Sequence, residues 1–157
     1  MFLHAPDMAQ ACGDKFLLVG RGAKFHRAYA ALYPASIVIY AQPRRHAATA
    51  IRDPRLQNDL KLAGHRMLVA EDEAAFARAL ESDRVDLVLT DVADADRIVT
   101  IASRSSTKPT ILPVMYEPTP DEVKAIEARF MCRLKSSDRP DRYLIAIDDA
   151  MKARKKK

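Results

Sequence analysis

The 157-residue chain has no tryptophan, only two cysteines and four glycines, and aromatic residues make up 6% of it. Each scarcity excludes something. With so few aromatics, and no basic run interleaved with them, there is no stacking platform for single-stranded nucleic acid. Cys12 and Cys132 lie in no CxxC or His-rich setting, which argues against a metal centre or a thioredoxin-type dithiol. No apolar run approaches the roughly 20 residues that span a bilayer. His4, His26, His46 and His65 stand near no nucleophile elbow, and no Ser-His-Asp or Cys-His arrangement can be assembled from them. No enzymatic activity is therefore expected, and neither is a cofactor or a bound metal.

What is present is an ordinary globular composition, 48% apolar and 30% charged, at a length that fits one domain. The formal charge of +5 is concentrated at the end. The last six residues, Lys152-Ala-Arg-Lys-Lys-Lys157, hold five basic groups, and without them 21 basic residues face 21 acidic ones. The basicity thus belongs to a tail, read as a solvated, frayed terminus, and nucleic acid is not expected as a partner; contact with nucleic acid or anionic lipid is the sharper alternative. The expected division is a segment at 1–14, one domain at 15–152 and a basic tail at 153–157.

The start raises a question of compartment. Ala9-Gln10-Ala11 stands immediately before Cys12, as at the end of a secretory signal peptide, but no basic segment or apolar core precedes it. Two readings stay open. In one the likeness is accidental, the protein is cytoplasmic and both cysteines are buried hydrophobes. In the other the signal is truncated, the domain is periplasmic and a Cys12–Cys132 disulfide is plausible.

Along the chain, short β-branched runs alternate with helical periodicity. Lys15-Phe-Leu-Leu-Val19 reads as a strand, closed by Gly20-Arg21-Gly22, with a helix from Ala23 to Leu32. A strand at 36–40 is followed by a helical region from Pro43 through Leu62, bent at Asp53-Pro54 and ended by Gly64. Strand 66–70 leads to helix 72–81. Val85-Asp-Leu-Val-Leu-Thr-Asp91 is a buried strand ending on an aspartate, where open α/β sheets place their sites. Helix 94–103, strand 110–115, helix 119–129, strand 130–134 and a helix from Asp138 or Pro140 through Lys152 complete the series. Pro113 inside its strand predicts a bulge or an edge. The alternation predicts an α/β fold, a doubly wound, mostly parallel sheet with right-handed crossovers. It consists of a five-stranded core preceded by an extra strand–helix unit at 15–34.

In order and spacing, residues 36–152 resemble the receiver domains of bacterial two-component response regulators. The residues carrying the likeness are Val85-Asp-Leu-Val-Leu-Thr-Asp91, Leu134-Lys135 and Arg142-Tyr-Leu-Ile-Ala-Ile-Asp-Asp149. The resemblance implies a flavodoxin-like fold, Asp91 at the phosphoacceptor position and Lys135 at the phosphate-contacting lysine. It also exposes gaps. Receivers place two acids after the first core strand to hold the divalent cation that lets two anions meet; here Tyr40-Ala41-Gln42 follows. The hydroxyl position falls on Val114 or Met115, the reporter aromatic on Cys132 and the proline after the lysine on Ser136.

These gaps imply a degenerate, non-catalytic receiver that acts by protein–protein contact, with another protein or as a homodimer, through the face at 119–129, 130–134 and 141–151. Asp91 and Lys135 are expected to form a salt bridge across the sheet top. The alternative is an anion- or nucleotide-binding module using Gly20, Arg21, Gly22, Arg44 and Lys135. A further alternative is an atypical phosphorylatable receiver at Asp91, with Asp94 or Asp96 recruiting the metal. Arg44-Arg45-His46 sits on the same sheet edge as Asp91, and its positive charge suits an anion and repels Mg²⁺.

Overall fold

A computed structural model describes residues 30–156. Its elements are β1 Ser36–Tyr40, α1 His46–Ile51, α2 Pro54–Leu62, β2 Arg66–Ala70, α3 Glu73–Ser82, β3 Leu87–Asp91, α4 Ala95–Ala102, β4 Thr110–Met115, α5 Pro120–Glu127, β5 Leu134–Lys135 and α6 Pro140–Lys155. A 3₁₀ turn, Val92–Asp94, joins β3 to α4. The five strands are all parallel, in the order β2-β1-β3-β4-β5. The α/β, doubly wound core expected from the sequence is therefore the fold observed.

Local chemistry places the boundaries. Asp53 accepts from Arg55 N at 2.8 Å with Pro54 at the first helical position, so the bend at Asp53-Pro54 is a true break between α1 and α2. Asp72 caps α3 through Ala75 N at 2.7 Å. Thr119 and Glu122 form a capping box at the start of α5. Gly64, at φ +105°, takes the left-handed turn that lets the chain leave α2 for β2.

The strand alternation separates two cores. Ile37, Ile39, Leu87, Leu89, Leu112, Val114 and Leu134 pack beneath α1, α2 and α6. Val38, Tyr40, Ala70 and Val88 pack beneath α3 and α4 with Phe76 and Ile98. Each fully buried Ile, Leu or Phe contributes about 1.5–3 kcal/mol relative to exposure, and burial on both faces is why β1 and β3 read as continuous apolar runs.

Several expectations are corrected. The strand at 130–134 is reduced to Leu134–Lys135, because Phe130 N still bonds Ile126 O at 2.8 Å and the chain turns on before meeting β4. Pro113 makes no bulge: it pairs in register with Thr90, and pairing with β5 begins one residue later, at Val114. The terminal helix runs to Lys155, not Lys152. Of the extra unit at 15–34, residues 30–34 are irregular and the rest lie outside the described residues. The lead-in is fixed by Ala31 N to Ala63 O at 2.9 Å, and by Leu32 N and Tyr33 N to the buried Asp148 carboxylate, both at 3.2 Å. No helix among the described residues is long and apolar enough to cross a membrane.

Candidate functional site

The carboxyl ends of β1, β3, β4 and β5 converge on one sheet edge, and Asp91 lies there, 6% exposed. Both of its oxygens are engaged. Oδ1 accepts from Ala93 N at 2.8 Å and Oδ2 from Ala47 N at 3.2 Å. One carboxylate thus caps the 3₁₀ turn and ties α1 to β3. The expected ion pair with Lys135 does not form: β4 lies between the strands that end on Asp91 and Lys135, and Lys135 has no ion-pair partner among the described residues. Lys135 N donates to Asp138 Oδ2 at 2.7 Å, and its carbonyl accepts from Tyr143 Oη at 3.2 Å. Burial drives the Tyr143 hydroxyl far above its ordinary range, so it acts only as a neutral donor.

Three residues on, Asp94 is fully buried and held by two arginines. Arg45 reaches it through Nε at 3.3 Å and Nη2 at 3.1 Å, and Arg97 through Nη2 at 2.9 Å. Arg97 also donates to Glu73 at 2.8 Å, and this bond is the main cause that raises its guanidinium pKa. Tyr40 closes the floor; burial raises its hydroxyl pKa, while the bond from Gln42 Nε2 at 2.9 Å opposes the shift.

A divalent cation does not fit this donor set. After β1, Ala41 is buried and the Gln42 amide is turned to Tyr40, while a guanidinium sits on the buried carboxylate that a cation would need. Asp96, the other acid expected to recruit a metal, is mostly exposed and paired with Arg129. No group of three His, Cys, Asp or Glu side chains among the described residues could hold a metal ion. At the hydroxyl position, Val114 is opposite Asp91 in the ladder and Met115 follows it, both buried.

Arg44, the proposed anion contact, is exposed and lines an open cavity of about 320 Å³ with Arg45, His46, Asp91, Val92, Ala93 and Tyr116. The His46 and Tyr116 rings stack at 4.9 Å. Lys135 does not line that cavity, and Gly20, Arg21 and Gly22 lie outside the described residues. Cys132 is buried in the α6-side core and is not a free thiol; Cys12 lies outside the described residues.

Sequence reasoning missed Arg45 and Arg97 as a pair around Asp94. Arg97 is three residues from Asp94 and faces it on a helical turn, a legible signal; Arg45 is separated from it by 49 residues and no spacing rule reaches it. Tyr116 was missed as well, since an aromatic after a strand has no special mark.

No protein-family profile matches the sequence, and no curated protein does. Solved structures do. A response regulator from Thermotoga maritima superposes with a TM-score of 0.59 at 15% identity, covering 76% of this chain and 98% of its own. The signal receiver domain of an HD domain-containing protein from Pseudomonas fluorescens Pf-5 gives 0.60 at 19% identity, covering 80% and 99%. The receiver domain of a Luxo repressor protein from Vibrio parahaemolyticus gives 0.60 at 11% identity, covering 78% and 93%. The fold is that of response-regulator receiver domains, in a divergent sequence.

Proposed function

We propose that this chain is a receiver-fold signalling domain that works by protein–protein contact, is not an enzyme, and is not switched by phosphorylation. The observation that carries this reading is the Arg45–Asp94–Arg97 cluster. Its Arg45 lines the same cavity as Asp91, so guanidinium charge stands where phosphoryl transfer to Asp91 would require a hydrated cation. Asp91 itself accepts from two backbone amides, which hold its carboxylate in place and draw charge from both oxygens.

The partner face we assign is 119–129, 130–134 and 141–151. There Met131, in the connection from α5 to β5, is a large apolar residue 57% exposed. The partner is another protein or a second copy of this chain.

The test is intact mass after incubation with acetyl phosphate and Mg²⁺, beside an Asp91→Asn control. We expect no gain. A gain of one phosphoryl group, absent in the control, would overturn the reading in favour of an active receiver with an unusual cation site. The same spectrum taken without reductant reads the cysteines. A mass two hydrogens below the reduced sequence supports a Cys12–Cys132 disulfide and an oxidising compartment; the reduced mass supports the cytoplasmic reading.

A further inference from the structure

The cationic cavity around Arg44 adjoins a second one. That second cavity, about 180 Å³, is lined by Val92, Met115, Tyr116, Pro118, Glu122, Ala125 and Ile126. Val92 and Tyr116 are walls of both. We infer that the two cavities form one binding site for a small amphipathic monocarboxylate, its charged end at Arg44 and Arg45 and its apolar or aryl end between Met115, Pro118 and Ile126.

The charge distribution sets the orientation. Among the described residues Arg44 has no acidic partner, and Arg45 uses Nε and Nη2 on Asp94, which leaves Nη1 for another acceptor. Guanidinium groups favour a planar carboxylate because two parallel N–H groups match its two oxygens. The Asp91 carboxylate also lines the cavity, but it is nearly buried and its oxygens face Ala47 N and Ala93 N. At the opposite end Glu122 is held ionised: the backbone and hydroxyl of Thr119 bond it at 2.7 and 2.9 Å and lower its pKa. An anion's charged end is therefore drawn to the arginines and turned away from Glu122.

The wall between the cavities is an aromatic ring. Tyr116 is 48% exposed yet fixed by its stack on His46. It offers a flat apolar surface to a ligand's tail. The apolar cavity is small, so it suits one ring or a short alkyl chain and not a nucleotide base with its sugar. The site is separate from Lys135 and needs neither metal nor hydroxyl, so it goes beyond the scaffold reading and either can fail without the other.

The experiment is an amide-resolved NMR titration of the full chain with 3-phenylpropanoate, beside its uncharged amide and acetate. We expect saturable binding in the millimolar range for a ligand of this size, with shifts at 44–46, 92–93 and 115–118. Arg44→Ala and Tyr116→Ala should each weaken it by about threefold or more, the scale of one exposed charge or one lost ring contact; Arg44→Gln and Tyr116→Phe, which disturb the fold less, serve as second variants, with only the former weakened. No saturable shift overturns the proposal. So does binding of the amide or of acetate as tight as that of 3-phenylpropanoate, binding by Arg44→Ala and Arg44→Gln as tight as by the parent, or shifts centred elsewhere.

Discussion

Arg45 Nη2 lies 3.1 Å from Asp94 Oδ1, across 49 residues of sequence, and this contact ties the start of α1 to the turn after β3. Asp94 is fully buried, while the side chains of Arg45 and Arg97 are 37% and 45% exposed. The carboxylate is therefore the costly member to disturb, and the arginines can turn to water. Asp94→Ala should lose about 2 kcal/mol, less than the 3–5 of a wholly buried pair because its partners are partly solvated. Arg45→Ala and Arg97→Ala should each lose less, and the double variant more than their sum, since the second loss strands the buried charge. Urea midpoints measure all four, and an Asp94→Ala midpoint equal to that of the parent would refute the account.

His65 gives the fold an acid-side weakness. Its Nδ1 accepts from Ala35 N at 3.2 Å, so Nε2 carries the hydrogen, and that atom is buried with no partner. Burial lowers its pKa, with Asp148 opposing. The folded state thus binds this proton less readily than the unfolded chain. The contribution to stability is whole above about pH 6.5, the unfolded value, and declines as pH falls from there towards the folded pKa. Glu122 acts in a separate window: its lowered pKa costs stability only below its ordinary 4.5. His65→Asn, whose amide oxygen can accept from Ala35 N, should flatten the loss that sets in below pH 6.5 in chemical denaturation. An unchanged slope would exclude His65 as its source.

The basic end is structural in its first part. Arg154 donates to the carbonyls of Lys108, at 2.7 Å, and Thr107, and Lys155 Nζ stands 4.7 Å from the centre of the Tyr33 ring. Deleting 153–157 should therefore lower stability by about 1–2 kcal/mol, the worth of exposed charge-assisted bonds and one cation–π contact. A melting temperature unchanged by the deletion would restore the picture of a frayed terminus.

The core was legible because burial on both faces writes itself as runs such as Ile37-Val-Ile-Tyr40 and Leu87-Val-Leu-Thr90, and because Asp53-Pro54, Gly64 and Thr119-Pro120 punctuate the chain with known turn chemistry. Phe130-Met-Cys-Arg133 misled for the same reason: apolar content and β-propensity favour a strand, but strand length is decided by which residues of β4 remain to pair. At the site, the missing acids after β1 were readable by position alone. What replaced them was not, since Arg45, Asp94 and Arg97 meet only through the fold, and Asp91 and Lys135 end strands that β4 separates.

Lys108 carries a backbone conformation that its side chain disfavours. Its φ is +42°, in the left-handed region, at the turn where Ser105-Ser-Thr-Lys-Pro109 leads into β4. For a residue with a Cβ this costs roughly 1–2 kcal/mol, whereas glycine adopts it freely and loses about 0.5–1 kcal/mol of that gain to the greater freedom of its unfolded chain. Because Arg154 grips the carbonyl and not the side chain of Lys108, substitution leaves that bond in place. Lys108→Gly should therefore be more stable than Lys108→Ala by about 0.5–1 kcal/mol, with Lys108→Ala close to the parent because it keeps the Cβ. The two variants compared by urea unfolding at one pH isolate the backbone effect, and a glycine variant no more stable than the alanine one would show that the turn is not strained.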